Sequence, residues 1–335
     1  MEQWGVSGRA TEFLRGNLAW DMTLPWQKMI PGRRIEELRR FHDAGFDFVS
    51  LTVADDECWI HDTIAYLGEL RAWIARQADS LALAGTVSEI ERARAEGKLA
   101  VGLHFQGSNP FQGDIGMVQV YRDLGVSHAI LAYNRKNLVG DGCHERTDSG
   151  LSRFGLKLIA EMNRAGMLVD CTHTGHRTTM EAMEASTAPC IFSHSGATAI
   201  NDHERNIRDD QIRALAATGG VIGVDGIGMF LDAEGRATTE GLLRHIDHIA
   251  QLVGPEHVGL GLDFVYFDDF MIAFYQAHKD THFPKGYLPP PWHYYPPEGL
   301  PKLVEALLAR GYAEADVRGI LGGNFARVCR QVWGS

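Results

Sequence analysis

The stretch LVDCTH at residues 168–173 decides the fold, because it is a short apolar run that ends in polar side chains. The stretch IFSHS at residues 191–195 repeats this arrangement a short distance along the chain. Near-continuous apolar runs are typical of strands in a parallel sheet that is covered on both faces. Both stretches therefore predict strands of a parallel sheet, and each has a histidine at its carboxyl end, His173 and His194.

Further apolar runs extend the pattern to eight strands. Helical patterns alternate with them; the segment FGLKLIAEMNRAG at 154–166, for example, ends in a glycine, which is a helix stop signal. Repeated strand–helix alternation predicts an α/β fold with right-handed crossovers, closed into a (β/α)8 barrel of the TIM type. A doubly wound open sheet is the main alternative. The predicted strands are 17–24, 46–53, 99–107, 128–134, 168–173, 189–194, 221–227 and 257–264.

The whole chain, residues 1–335, is predicted to form one barrel domain, because no linker or shift of composition divides it. Two segments exceed the simple strand–helix unit and are expected as insertions, at about 60–98 and at about 267–300. The second is rich in aromatic residues, proline and histidine. A connection of that length is expected to be a lid, a subunit contact or an ordered surface loop.

Composition limits the partners of the protein. The formal net charge of −11 argues against nucleic acid, which is bound through clusters of lysine and arginine. No apolar run reaches the roughly 18 residues of a membrane-spanning helix, and the amino terminus shows no signal-peptide pattern. The five cysteines are scattered and odd in number, which favours a reducing compartment. We therefore expect a cytoplasmic protein that binds a small-molecule substrate and contacts neither nucleic acid nor membrane.

The carboxyl ends of the strands carry the candidate site. His173 and His194 follow neighbouring strands, and Asp263 follows the apolar run HVGLGL at 257–262. Imidazole is the commonest protein ligand for zinc-like metals, and a buried carboxylate is costly unless it is paired or bound to a cation. These three side chains are predicted to bind a divalent metal, with Asp263 also acting as general base on metal-activated water. The alternative is a buried hydrogen-bond network of histidines and aspartate.

Several polar residues in the following loops are further candidates. Arg205 is expected to clamp a substrate carboxylate, the alternative being a solvated loop charge. Tyr133 and Asn134 begin a long polar loop that is expected to line a pocket. Cys143 in the same loop has no histidine that the sequence pairs with it, so a nucleophilic role is not favoured. The acids at 55–57 follow the second strand at the same end; they are interpreted as a charged surface turn, the alternative being that they add carboxylates to the site.

Five further segments lie in a fixed order along the chain: LVDCTHTG at 168–175, APCIFSHSGA at 188–197, RNIRDDQI at 205–212, HVGLGLDF at 257–264 and GGNFARV at 322–328. Together they resemble the membrane dipeptidase family, the M19 metallopeptidases of the amidohydrolase superfamily. The resemblance implies a distorted βα barrel of the metal-dependent hydrolase type, a zinc centre, hydrolysis of dipeptides and a homodimer.

The resemblance also assigns roles to individual residues. His173 and His194 match the two histidines that bind one zinc in the family. Asp263 matches the aspartate that binds the other zinc and carries the proton. Arg205 matches an arginine near the substrate, and Tyr133 stands where the family usually has a histidine that contacts substrate.

The chain departs from the family in one half of this site. The family's first strand ends in a His-x-Asp pair, and the corresponding piece here is WDMTLPW at 20–26. Depending on the alignment, either Asp21 and Thr23 or Thr23 and Pro25 replace that pair. The family's bridging glutamate appears as Gln106, which is neutral. A binuclear centre needs negative ligands to offset two dications, so at most one tightly bound metal is predicted, with zinc the expected ion.

These observations support two main hypotheses. The first is a mononuclear metal-dependent hydrolase that cleaves a dipeptide or related small amide, with Asp263 moving the proton and Arg205, Tyr133 and Asn134 orienting the substrate. The second is a catalytically altered relative that uses the same pocket for non-peptide chemistry or for binding. A purely structural protein, with the segment 267–297 serving oligomerisation, would leave the aligned polar strand ends without an explanation.

Overall fold

The computed structural model describes residues 7–30, 34–279 and 287–334. Eight parallel strands in these ranges form the predicted barrel, in the order β1-β2-β4-β5-β6-β7-β8-β9, and a short ninth strand, β3, pairs with β4. The (β/α)8 prediction is confirmed, and each of the eight predicted strands overlaps an observed one. The strands are β1 Trp20–Pro25, β2 Phe48–Asp55, β3 Leu81–Leu83, β4 Leu99–Gln106, β5 Val126–Ile130, β6 Leu168–Asp170, β7 Cys190–Phe192, β8 Val221–Val224 and β9 Val258–Leu260.

Helices follow the strands and cover the outside of the barrel. The predicted helix at 154–166 is observed at Arg153–Ala165, begins with a hydrogen bond from Gly155 N to the Ser152 hydroxyl and ends at Gly166 with a φ of 71°. The α-helices are α1 Gly8–Gly16, α2 Ile35–Ala44, α3 Ile60–Arg76, α4 Val87–Ala95, α5 Met117–Asp123, α6 Arg153–Ala165, α7 His176–Ala185, α8 Asp209–Ala217, α9 Gly228–Leu231, α10 Thr239–Val253, α11 Asp268–His278, α12 Leu300–Ala309, α13 Glu314–Arg318 and α14 Asn324–Trp333.

The amino-terminal end of the barrel is closed by a compact apolar cluster. The first residues of several strands point inward there and pack against the last helix, α14, through Phe325 and Trp333. In barrels of this type the ligand binds at the opposite, carboxyl end of the strands. The strand residues in the apolar cluster include Trp20, Phe48, Ala100, Leu168, Ile191 and Val221.

The seam between β9 and β1 is held by a side chain. Asp21 Oδ1 accepts hydrogen bonds from the backbone N–H of Leu262, at 3.1 Å, and of Thr23, at 3.0 Å. Asp21 is fully buried. Its carboxylate therefore connects the first and last strands of the barrel.

The two expected insertions contain regular structure. The segment at about 60–98 holds α3, β3 and α4, and the described part of the segment at about 267–300 holds α11 and a 3-10 helix, Pro297–Gly299, that precedes α12. Residues 280–286 of the second segment lie outside the described ranges. In the described ranges, every helix is too short or too polar to cross a bilayer. That the whole chain forms one domain stays a prediction.

Candidate metal centre

Three residues at the carboxyl end of the barrel have a left-handed backbone. The φ angles of Asn134, His173 and Asp263 are 62°, 61° and 48°. A residue other than glycine loses about 1–2 kcal/mol in this conformation, so the surrounding structure must hold it there. All three were predicted as site residues, and the strain is concentrated where they meet.

His173 and His194 face each other through the same ring nitrogen. Their Nε2 atoms lie 3.0 Å apart, and the rings meet edge to face. Burial lowers the pKa of both imidazoles well below the usual value, and the nearby Arg205 lowers it further. Both rings are therefore neutral at physiological pH, and each has one N–H and one lone pair.

Hydrogen bonds on the far side of each ring favour Nε2 as the nitrogen that holds the lone pair. Asn134 Oδ1 lies 2.7 Å from His173 Nδ1 and can only accept, so Nδ1 donates. Thr23 Oγ1 donates to the Met22 carbonyl at 2.8 Å and can accept from His194 Nδ1 at 3.0 Å, while Ser193 Oγ lies 2.9 Å from the same nitrogen. With Nδ1 as the donor in each ring, both Nε2 atoms direct a lone pair towards a common point, which suits a shared cation. The spacing of 3.0 Å equally fits an N–H···N hydrogen bond between the two rings.

Asp263 is the acid that would join the two histidines in binding a cation. Its Oδ2 lies 3.9 Å from His194 Nε2, and its Oδ1 is buried and accepts no hydrogen bond from the described residues. Metal–ligand bonds of about 2.0–2.2 Å separate two ligands of one ion by about 3–4 Å, so both spacings lie within the range for a shared ion. In the described part of the chain, no group of three or more histidine, cysteine or acidic side chains is arranged to hold a metal ion. The arrangement is therefore a pair of histidines with Asp263 at the outer limit of ligand distance.

Asp170 holds the strand ends that carry the two histidines. Its Oδ1 accepts from Thr172 N at 3.0 Å and from Ser193 N at 3.1 Å, the residues directly before each histidine. Its Oδ2 lies 3.2 Å from His128 Nδ1. Burial raises the pKa of Asp170, but the hydrogen bond from His128, the electrostatic attraction of His128 and His194 and the contact with Ser193 together outweigh it, and the net pKa is lowered. A charged carboxylate therefore ties β6 to β7 beneath the site.

Gln106 stands at the place predicted for the lost bridging glutamate and turns inward. Its Nε2 donates to Thr52 Oγ1 at 3.0 Å, and Thr52 Oγ1 lies 2.9 Å from His104 Nε2. Ser50 Oγ then joins His104 to His128, at 2.9 and 3.1 Å. This polar interior was not predicted from the sequence. Single hydroxyl and imidazole side chains within an apolar run are also compatible with an ordinary strand.

Two further buried acids lie beside Asp263. Asp21 Oδ2 and Asp225 Oδ2 accept no hydrogen bond within the described ranges. Burial raises the pKa of Asp21 to about 7 and that of Asp225 well above its usual range, and the charge of Asp263 adds to both. Burial also raises the pKa of Asp263 to about 6, against the pull of Arg205. The sequence reasoning missed Asp225, although an aspartate directly after an apolar strand was the signal that found Asp263.

Arg205 is buried beside the centre. Its guanidinium carbon lies 5.2 Å from the centroid of the Phe230 ring, and its Nε and Nη2 atoms have no hydrogen-bond partner among the described residues. It borders a polar pocket together with His173 and Glu204. Contact between Arg205 and a substrate carboxylate stays a prediction.

Tyr133 and Asn134 both contact His173. The Tyr133 ring stacks on the His173 ring, with centroids 4.1 Å apart, and borders the cavity that Asp263 also borders. The side chain of Asn134 contacts His173 and, at 3.4 Å, Cys143 Sγ. Contact of either residue with substrate stays a prediction. Burial raises the pKa of the Cys143 thiol to about 12, which agrees with the low expectation for it as a nucleophile.

The acids at 55–57 border the cavity and are engaged in internal contacts. Asp56 accepts from the backbone N–H of Tyr133 at 2.8 Å and from Asn137 Nδ2 at 2.9 Å, besides two backbone N–H groups of the loop after β4. Glu57 forms an ion pair with Arg135. The interpretation as a surface turn was incomplete, because Asp56 fixes the backbone that presents Tyr133.

Fold and site together define a βα-barrel protein with a candidate hydrolase-type metal centre at the carboxyl end of its strands. The family model of the membrane dipeptidases, peptidase family M19, matches residues 55–271, more than half of the chain. The chain belongs to this family of metallopeptidases. The matched region begins after β1, the strand that contains Asp21 and Thr23.

Individual relatives agree with this assignment. The dipeptidase verJ of Clonostachys rogersoniana is 31% identical over 272 residues, which cover 81% of this chain and 65% of that protein. An uncharacterised dipeptidase of Schizosaccharomyces pombe is 36% identical over 212 residues, which cover 61% of this chain and 51% of that protein. This chain therefore spans about half to two thirds of the length of these curated relatives.

Solved structures show the same fold. An amidohydrolase from Pseudomonas aeruginosa superposes with a TM-score of 0.87 at 29% identity, over 97% of this chain and 99% of that one. A metallopeptidase from Rhodobacter sphaeroides, bound to a phosphinate mimic of the dipeptide L-Ala-D-Ala, superposes with a TM-score of 0.76 at 22% identity, over 95% of this chain and 99% of that one.

Proposed function

We propose that this chain is a metal-dependent dipeptidase that uses one divalent ion. The observation that carries the proposal is the approach of His173 Nε2 to His194 Nε2, 3.0 Å apart, with a hydrogen-bond partner at the Nδ1 atom of each ring. The membership of a family of metallopeptidases supports hydrolysis of a small amide. His173, His194 and Asp263 would hold the ion.

The chemistry follows from the character of these groups. When bound, the ion supplies a Lewis acid that polarises the scissile carbonyl and makes water more acidic. Asp263 has a pKa near the operating pH and a buried oxygen that accepts no hydrogen bond in the described structure. It is suited to take a proton from the attacking water and to pass it to the departing amine. The neutral histidines keep their lone pairs for the ion and do not compete for this proton.

The residues around the centre would orient the substrate. Arg205 is a buried cation with two unpartnered nitrogens in the described structure and would attract a carboxylate. The ring of Tyr133 lies between His173 and the cavity and would set the approach of the amide. Asn134 would act mainly through His173, by keeping Nε2 free of its proton.

Zinc is the ion that we propose, because two imidazole nitrogens and a carboxylate oxygen are a usual zinc ligand set. A reducing, cytoplasmic setting is proposed from the five cysteines, which are all free thiols. A homodimer is proposed from the family resemblance. The lack of contact with nucleic acid is proposed from the negative net charge.

The test combines metal dependence with turnover. Protein stripped with a chelator and then titrated with zinc is expected to gain hydrolysis of dipeptides in step with bound metal. His173→Ala is expected to lose both metal and turnover, whereas His42→Ala, which changes a half-buried histidine on α2, keeps both. Metal-replete protein that cleaves no member of a broad dipeptide panel would instead favour the altered relative with non-peptide chemistry.

A further inference from the structure

The cavity above Asp263 has two apolar walls. One wall is built on Val265 and Phe267, with Phe270 and Met271 of α11 packed against them. The other is built on Ile227, Met229 and Phe230, with Trp292 packed against them. All of these residues border the same cavity as Asp263, Gln106 and Tyr133. The polar floor of the site is therefore reached between two hydrophobic surfaces.

The two walls are joined into one structure. Tyr294 packs against both apolar clusters, and its backbone pairs with Ile227 in an antiparallel bridge. The Phe267 and Phe270 rings lie 6.0 Å apart, which continues the first wall onto α11. The cavity is thus a formed feature with aromatic side chains held by neighbours on both sides.

The charged groups at the rim are engaged with one another. Glu57 is paired with Arg135, and the Asp55 carboxylate accepts from the Glu57 backbone at 2.9 Å and from Gln27 Nε2 at 3.3 Å. A polar or charged substrate side chain would lie against apolar surface here. An apolar side chain would instead remove both surfaces from water, at about 25 cal/mol for each Å².

We propose that the substrates of this site are dipeptides with a bulky apolar or aromatic side chain, which lies between the two walls. The inference rests on the proposed function, because it takes the scissile amide to lie at Asp263. One methylene group more or less in such a pocket changes the ratio of kcat/KM values between two substrates by about 10–200-fold. The preference for phenylalanine or leucine over alanine is therefore expected to reach at least tenfold in kcat/KM.

Direct binding and turnover test the two proposals separately. Zinc-loaded protein is titrated by calorimetry with two phosphinate dipeptide analogues, one bearing a benzyl and one a methyl side chain. We expect the benzyl analogue to bind at least tenfold more tightly. Equal affinity would overturn the apolar preference whether or not any dipeptide is cleaved. Tighter benzyl binding without cleavage of any dipeptide would sustain the preference and overturn the proposed hydrolysis.

Variants on α11 identify the wall as the cause. Phe270→Ser and Met271→Ser change half-buried residues and are expected to reduce the benzyl-over-methyl preference by at least threefold without changing bound zinc. Phe154→Ser on α6, likewise half-buried but away from the cavity, is the matched control and keeps the preference. Sedimentation of each variant is measured alongside. A change from dimer to monomer with unaltered preference would assign the wall to an interface between copies and overturn the inference.

Discussion

The two halves of the candidate centre differ in what their polar atoms contact. In the half formed by β6 and β7, His173 and His194 turn their lone pairs towards a common point, and a charged carboxylate beneath them fixes both strand ends. In the half formed by β1 and β4, Thr23 and Gln106 direct their polar groups to other protein atoms. The first half directs its ring nitrogens to one point, and the second half, apart from Asp21 Oδ2, directs its polar atoms to other protein groups.

The comparison shows that polar residues at the same end of the barrel serve different purposes. Thr23 lies where the sequence predicted a lost ligand, and its hydroxyl now accepts from His194 Nδ1. It thereby orients a ligand of the retained half. Asp21, the acid that remains on β1, bonds the backbone of Leu262 and joins the ends of the barrel. The half of the site formed by β1 and β4 therefore holds the half formed by β6 and β7 in place.

The largest expected effect concerns the role of Asp21 as a structural acid. Its folded pKa of about 7 exceeds the unfolded value near 3.9, so the folded state binds the extra proton between these pH values and loses stability as pH rises through them. In metal-stripped protein, the Asp21→Asn variant has no carboxyl group to ionise at this position, so it does not undergo this loss of stability as pH rises. Its free energy of unfolding relative to the parent is expected to rise by up to roughly 4 kcal/mol from pH 4 to 7.5. Denaturant melts across that range measure it, and a difference independent of pH would show that Asp21 is ionised when folded.

The next effect concerns the retained half. Asp170→Asn removes the charge that holds the residues before both histidines, and loss of such a supporting group usually weakens metal affinity about 10–100-fold. Competition with a chromophoric chelator measures this. Asp209→Asn is the matched control, because it breaks an Asp–His contact of 2.7 Å on the outer surface. Equal zinc affinity in Asp170→Asn and the parent would remove Asp170 from the account of the site.

A smaller effect is expected at Thr23. Thr23→Val keeps the side-chain shape and removes the oxygen that accepts from His194 Nδ1, while Ser193 Oγ remains 2.9 Å from the same nitrogen. The zinc affinity is expected to fall by about tenfold, at the low end of the range for supporting groups. Ser193→Ala in the same background is expected to lower it further. Unchanged zinc affinity in the double variant would show that the tautomer of His194 is set elsewhere.

The smallest effect is expected at Gln106. Gln106→Glu restores the acidic residue of the family pattern, yet the number of bound zinc ions is expected to stay at one, because β1 supplies no second set of ligands. Metal content at excess zinc, measured after gel filtration, checks this. A second bound ion in Gln106→Glu would contradict this expectation. It would mean that the change from glutamate to glutamine alone accounts for the missing second metal site, and that Thr23 and Asp21 can still bind metal.

The barrel was predictable because near-continuous apolar runs alternate with helical patterns along the chain. The short β3 was not, because three residues, Leu81–Leu83, are too few to show a strand period. His173, His194 and Asp263 were found by reading the strand ends. Asp225 follows the same rule and was overlooked, because the predicted strand was extended past it to residue 227.

The supporting contacts could not be read from the sequence. Asn134 reaches His173 because both residues have a left-handed backbone, and no local residue pattern specifies that for a non-glycine pair. Thr23 and His194 are 171 positions apart and meet only because β1 and β7 end at the same side of the barrel. Long-range pairings of this kind depend on the closed fold.

The number of metal ions per chain tests the central claim most directly. Native mass spectrometry of zinc-replete protein is predicted to show one ion per chain, absent in His173→Ala and retained in Asp21→Asn. Two ions per chain, or one ion that survives His173→Ala and is lost in Asp21→Asn, would contradict the division of the site into a metal-binding half and a supporting half.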